Sequence, residues 1–265
     1  MTTLQIVILA IVQGITEFLP ISSSGHLVLV PFLFGWADQG LAFDVSVHVG
    51  SLAAVCIFFR RDIASLLSGG VQILHGNIKT SESRMALAIL LGTIPAAMAG
   101  LLFASWIEDN LRDPAVIVYT LSGYGVVMAL ADRFSSRERN ISTVGLKDAL
   151  IIGCAQALAL VPGTSRSGVT ITAARLLGFE RQDAARFSFL LSAPVILLAA
   201  GYKFVQMLMS GVAVAWGQLG LATLSACIVA YLSIGFFMRV VTRVGLAPFA
   251  IYRLLLAAYI LYALI

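Results

Sequence analysis

Two short polar stretches carry the residues best suited to chemistry. The first runs Gln13-Gly-Ile-Thr-Glu17 and then, past Pro20, Ser22-Ser23-Ser24-Gly25-His26; the second is Pro162-Gly-Thr164-Ser165-Arg166-Ser167-Gly168. An arginine fork matches phosphate oxygens two at a time. Hydroxyls at Ser22, Ser23, Ser24, Thr164, Ser165 and Ser167 offer further donors. Each run ends where a helix would begin, with free N–H groups and the positive end of its dipole. Gly25 and Gly168 let backbone approach closely. This set describes an anion site, and phosphate is its natural guest. The plainer reading of each serine is an ordinary helix cap. Glu17 is a candidate acid, base or metal ligand, or else the simple partner of Arg166. His26 suits proton transfer or attack on phosphorus, or it caps its own turn. Ser23 and Ser165 could donate hydrogen bonds to phosphate, or one of them could be the nucleophile.

The surroundings make these residues costly. The chain has 265 residues, 60% of them hydrophobic and only 11% charged. Soluble domains carry about 25% charged residues, so an integral membrane protein is expected. An arginine at a membrane-helix centre costs roughly 2.5–3.5 kcal/mol, and Arg166 lies in an otherwise apolar region, far from any basic loop. The net charge of +4 is spread over short loops, which argues against a nucleic-acid partner. Cys56, Cys154 and Cys227 lie in apolar stretches without metal or disulfide spacing and are expected to be small buried residues. No cleavable signal peptide is expected, because the first apolar run leads into Glu17.

A spanning helix needs about 20 apolar residues. Residues 41–59, 85–106, 115–131, 186–209, 217–238 and 248–265 come close. Two further regions are broken: 4–19 and 26–35 flank the first polar run, and 149–161 and 169–178 flank the second. Pro and Gly stop the helix at each break, so each pair of short arms reads as a re-entrant hairpin. Irregular backbone at that depth is tolerated only where protein or a wet cavity surrounds it.

With residues 60–84 placed on the inner side, thirteen Lys and Arg, including Arg175, fall in inner loops and Arg112 alone outside. That bias supports the hairpins and places both termini outside. The halves repeat: residues 1–132 and 143–265 each read hairpin, span, span, span. Gln13 and Gly25 are twelve apart, and so are Gln156 and Gly168. Three spans per half invert the second half, so the tips are expected to meet near midplane. The expectation is one all-α membrane domain over 1–265, with six transmembrane helices, two re-entrant hairpins and two inverted repeats. Asp44, His48 and Ser51 share one helix face, as an access stripe or an internal packing pair. His75 is expected in solvent; Lys203 and Arg253 are expected to snorkel or pair inside the bundle, with no assigned role.

QGITEFLPISSSGHL and PGTSRSG together resemble the two signature motifs of the bacterial undecaprenyl-diphosphate phosphatases of the bacitracin-resistance type. The resemblance extends over essentially the whole chain. It implies hydrolysis of undecaprenyl diphosphate to the monophosphate, recycling the lipid carrier for peptidoglycan synthesis. It implies a plasma-membrane protein acting at the outer face, and a divalent cation, Mg²⁺ or Ca²⁺. The family's acidic motif has Glu or Gln, three residues, then Glu; here these are Gln13 and Glu17, the expected metal-binding pair, with one carboxylate between them. The family's Ser, hydroxyl and His map onto Ser23, Ser24 and His26, and its Ser-Arg onto Ser165 and Arg166. Glu17, Ser23, His26 and Arg166 are therefore the catalytic candidates. Ser22, Ser24, Gly25, Thr164, Ser165, Ser167 and Gly168 are the substrate-binding ones. Expected partners are the lipid substrate and the membrane, with a homodimer left open. Two rival readings share some of these features. The type-two phosphatidate-phosphatase class needs a His soon after its Ser-Arg, and residues 167–180 hold none. A transporter of anionic lipid shares the inverted-repeat architecture.

Overall fold

A computed structural model describes residues 1–111, 113–209 and 215–264. Arg112, the single outer basic residue of the charge pattern, lies outside the described residues. Among those described, the chain forms eleven α-helices and no strand beyond one isolated bridge between Arg139 and Phe179. Five helices are long and apolar enough to cross a membrane. They are α3 (Gly40–Phe58), α5 (Ser81–Asn110), α6 (Pro114–Phe134), α9 (Arg181–Met209) and α10 (Trp216–Val244). The last expected span is α11 (Ala247–Leu264), apolar but shorter; at 1.5 Å per residue it reaches about 27 Å against a hydrocarbon core of about 30 Å.

The two broken regions each form a pair of short helices. The first is α1 (Thr3–Thr16) and α2 (Ser23–Phe34); the second is α7 (Leu146–Ala157) and α8 (Arg166–Leu176), with a 3-10 turn at Leu158–Leu160 between them. Packing exchanges elements between the halves. Helix α1 lies against α10, α7 against α5, and α6 against α11. The α5–α7 contact is close because both helices bring glycine to it: a Cβ on Gly153 would sit 2.4 Å from the Gly92 carbonyl. A chain of aromatic contacts runs beneath the first break, Phe18 to Phe189 at 5.2 Å, Phe189 to Phe237 at 5.7 Å and Phe237 to Phe249 at 5.2 Å. These rings are buried and form part of the main core.

Three local expectations need correction. Residues 60–84 are not simply a loop: α4 (Arg60–Leu74) is an amphipathic helix, tied to α9 by the Asp62–Arg186 ion pair. Arg175 is no loop residue either. It ends α8 fully buried, donating to Asp132 and to the carbonyls of Ser135, Ser136 and Phe179. Asp132 also takes both prongs of Arg181 at 2.7 Å and the Leu246 N–H at 3.0 Å, locking α6, α8, α9 and the α10–α11 turn together. Finally, Cys154 is exposed and Cys56 and Cys227 are half-buried. The packed face of α7 is Ala149, Ile152, Gly153 and Gln156, which turns Cys154 outward.

Candidate functional site

The two breaks face each other. Ser22 and Ser165 cap α2 and α8 from the same unusual backbone conformation, φ 75° and 71°. Positive φ is uncommon for a residue with a side chain and is held only where surrounding structure dictates it. Each cap accepts the N–H of the glycine three residues on, Gly25 at 3.4 Å and Gly168 at 3.1 Å. Each also contacts the hydroxyl two residues on, Ser24 and Ser167, at 3.3 Å. Ser22 and Ser165 thus serve their own helix starts, the plainer of the two readings. Ser167 crosses the gap and donates to the Leu19 carbonyl at 3.1 Å.

Glu17, at the C-terminal end of α1, is the hub. Its Oε1 accepts from Arg166 at 2.7 Å. Its Oε2 accepts from Ser23 and from the Gln13 amide, both at 2.9 Å, and lies 3.8 Å from His48 Nε2. Arg166 is the first residue of α8, so the helix start that offers N–H groups also aims the guanidinium across the gap. The Arg166 guanidinium also lies over the Phe18 ring, 5.7 Å from its centroid. Ser23, Arg166 and His48 are only partly buried and Ser24 is exposed, whereas Gln13 and Thr164 are fully enclosed. The cluster therefore has one open side, bordered by α2, α3 and α8.

Two enclosed polar atoms in this cluster have no protein partner, Gln13 Oε1 and Thr164 Oγ1. Buried acceptors left unpaired are uncommon and call for an explanation such as a water, an ion or a ligand. The Asp44–His48 stripe resolves into separate roles. His48 Nδ1 donates to the Asp44 backbone carbonyl at 2.7 Å, while the Asp44 carboxylate accepts from Gln39. His48 thereby presents Nε2 to Glu17. Ser51 donates to Val47 within its own helix. His75 is exposed at the end of α4, as expected.

His26 makes its hydrogen bonds to groups other than the carboxylate. It follows Ser23 by one turn of α2, and its ring nitrogens meet the Ser22 carbonyl at 2.7 Å and the Tyr252 hydroxyl of α11 at 2.6 Å. The direct hydrogen bonds therefore join Glu17, Ser23, Gln13 and Arg166 in one group and place His26 at its flank.

Sequence reasoning gave no role to Arg253, which proves to hold both breaks. It is 1% exposed. Its guanidinium donates to Pro20 at 3.4 Å, Gly163 at 3.1 Å, Thr120 at 3.1 Å and Leu121 at 3.2 Å, all backbone carbonyls. Thr120 helps from α6, donating to the Pro162 carbonyl at 2.7 Å. Gly163 must be glycine here: φ is +84° and a Cβ would lie 2.2 Å from Thr120 Oγ1. The signal that could have exposed Arg253 was its setting, an arginine well inside the last apolar run with no acidic residue nearby in sequence.

Fold and site define a multi-pass helical membrane protein with a small polar cradle between two broken helix pairs, joined by a carboxylate–guanidinium pair. The chain belongs to the family described as bacitracin resistance protein BacA, whose profile matches residues 6–259. It is 52% identical to a protein of Hahella chejuensis named undecaprenyl-diphosphatase, over 98% of both chains. A Stutzerimonas stutzeri protein named undecaprenyl-diphosphatase 2 is 51% identical, and a Chromohalobacter salexigens undecaprenyl-diphosphatase 52%, each over 98% of both chains.

Proposed function

We propose that this protein hydrolyses undecaprenyl diphosphate to undecaprenyl phosphate and inorganic phosphate, returning the lipid carrier to peptidoglycan synthesis. Consumption of the diphosphate would also deplete the target of bacitracin. The observation that carries this reading is the Arg166–Glu17 pair, made between two helix breaks inside an apolar bundle. Neither break alone offers both charges, and the hydroxyls around them suit a phosphorylated head group. Near-full-length similarity to proteins named for this reaction supports the substrate.

In this reading the diphosphate enters from the open side while the prenyl chain stays in lipid. Arg166 and the α8 N-terminus stabilise charge on the transferring phosphoryl. Ser23 or His26 attacks the terminal phosphorus, or His26 takes a proton from an attacking water. In each case the anhydride P–O bond breaks, lipid monophosphate departs, and the oxygen of water ends in inorganic phosphate. The residues fit a divalent cation only of one kind. Among those described, no cluster of three His, Cys, Asp or Glu could hold a metal. Glu17 and the unpartnered Gln13 Oε1 are hard oxygen donors, suited to Mg²⁺ or Ca²⁺ that takes its other ligands from substrate and water. Such an ion would neutralise diphosphate charge.

The same proposal includes six spans, two re-entrant hairpins and inverted repeats over 1–132 and 143–265, in a bacterial plasma membrane with both termini and the cradle's mouth outside. Supporting it are the matched caps Ser22 and Ser165, the matched buried amides Gln13 and Gln156, and the exchange of α1 and α7 onto α10 and α5. The test is purified protein in detergent, given a long-chain prenyl diphosphate with and without chelator. Phosphate release that stops on chelation is expected. No release from a correctly folded preparation would refute hydrolysis and leave transport as the reading.

A further inference from the structure

His26 sits between two partners of different character. Its Nδ1 lies 2.7 Å from the Ser22 carbonyl, which can only accept, so Nδ1 carries the proton. A neutral imidazole with that tautomer has its lone pair on Nε2. The Tyr252 hydroxyl, 2.6 Å from Nε2, is then the donor. The two rings are near parallel, at 7°. Tyr252 comes from α11, 226 residues away in sequence, and is 40% exposed, so packing alone does not account for it. Its neighbour Arg253 ties the same turn of α11 to the carbonyls of Pro20 and Gly163. The hydroxyl is therefore held on backbone that is fixed relative to both breaks.

We propose that Tyr252 is a positioning residue for the reaction: its hydroxyl, donating to Nε2, holds the resting His26 ring in one orientation as the Nδ1–H tautomer and gives up Nε2 to the substrate or the attacking water when the diphosphate binds. This rests on the phosphatase reading above. Without the hydroxyl, the ring keeps its Ser22 contact but gains freedom about that single bond. The ring then spends less time in the one orientation from which Nε2, once Tyr252 has given way, meets its reaction partner. Ser22 supplies one half of the restraint from the first hairpin; Tyr252 supplies the other from the last helix, so the restraint exists only when the two ends of the chain are docked.

The experiment uses the full chain in detergent, with Tyr252→Phe as the variant. Phosphate release from a long-chain prenyl diphosphate is measured, and histidine ¹⁵N spectra are recorded at about pH 8, above the ordinary histidine range. The chain has three histidines, and His26→Gln identifies the His26 signals. Expected is a kcat lower by roughly 10- to 100-fold with KM unchanged, a part of the roughly 10²–10⁴-fold that a positioned acid–base group supplies. The wild-type spectrum should show protonated Nδ1 and a hydrogen-bonded, unprotonated Nε2, and the variant should show the Nε2 signal moved toward that of a free lone pair. Unchanged kcat in Tyr252→Phe, or an Nε2–H tautomer in the wild type, overturns the proposal. The spectrum decides even if the variant fails to fold. Absence of phosphate release by the wild type would instead count against the phosphatase reading, while the tautomer still tests the Tyr252–His26 contact.

Discussion

Replacing Arg253 by Met separates positioning from stability. The side chain fills similar space but removes all four hydrogen bonds to the carbonyls of Pro20, Thr120, Leu121 and Gly163. Thr120 and Leu121 lie inside α6 and keep helical partners. The Pro20 and Gly163 carbonyls lie in the breaks, and a buried acceptor left unpaired costs about 1–3 kcal/mol, so the pair costs roughly 2–6 kcal/mol. Removing a buried guanidinium offsets part of this, because its desolvation is relieved. The net stability change is therefore a small difference of opposed terms. Geometry has no such offset: both breaks lose their common anchor, and a displacement near 1 Å in a phosphoryl-transfer site costs about 10²-fold. The assay is phosphate release from a long-chain prenyl diphosphate, with thermal unfolding in the same detergent. Arg253→Met should lose about 10²-fold in kcat while its midpoint moves by a few degrees. A variant that folds and turns over at the wild-type rate would show that the breaks hold their places without Arg253.

Other substitutions separate charge from structure. Arg166→Ala should lose roughly 10³-fold or more in turnover, the scale of a transition-state arginine, with folded protein recovered by size exclusion; near wild-type rates would discard the clamp. Glu17→Gln keeps the shape but not the charge, and its residual phosphate release should no longer respond to added Mg²⁺ or chelator; an unchanged cation response would move the metal elsewhere. Asp132→Ala strands the buried Arg175 and should destabilise by about 3–5 kcal/mol, seen as a lower unfolding midpoint. The KM of the surviving protein should be unchanged, because Asp132 serves the α6–α8–α9 lock and not the cradle.

The breaks were legible because they are written in local chemistry. Proline alone does not end a helix here, since Pro31, Pro95 and Pro194 lie inside helices. It is Pro20 and Pro162 together with the hydroxyl runs beside Gly25 and Gly168, which offer caps, that let the short helix pairs be read from adjacent residues. The pairing of Arg166 with Glu17 is legible for the same reason: two opposite charges stand in apolar surroundings. Tyr252 gave no signal, and for Arg253, expected to snorkel or pair inside the bundle, the partners were not legible. Each is a single residue in a long apolar run, and its partners lie far off in sequence, which no periodicity can report. Helix α4 was hidden differently. Arg60, Arg61 and Asp62 at its start and Ser68-Gly69-Gly70 within it resemble a loop, and its helix survives because Gly69 lets it lie close on α5, where a Cβ would meet the Glu82 carbonyl at 2.2 Å. His48 was placed on the correct face by its spacing from Asp44, but its approach to Glu17 depends on how α3 meets α1.

The Arg166–Glu17 pair is compatible with both of the opposed sequence readings. A structural salt bridge and a phosphate clamp are alternatives only if the guanidinium has a single state. Arg166 has five donors, and the geometry engages few of them: one to Glu17 at 2.7 Å and one to the Ser188 carbonyl at the weak distance of 3.5 Å. On the proposed function, Glu17 serves as the resting anion that keeps a largely buried guanidinium paired before the diphosphate arrives. A second anion can then join the open side of Arg166 without first breaking the bridge, and Ser23, already donating to Glu17, lies at the same border. Separating the charges completely would leave Glu17 buried against Ser23, Gln13 and the more distant His48, a loss of several kcal/mol that binding would have to overcome. Sharing the guanidinium between carboxylate and phosphate avoids that loss. The two hairpins would then stay tied throughout turnover, with the ion pair acting as both the strut between the breaks and one wall of the phosphate site.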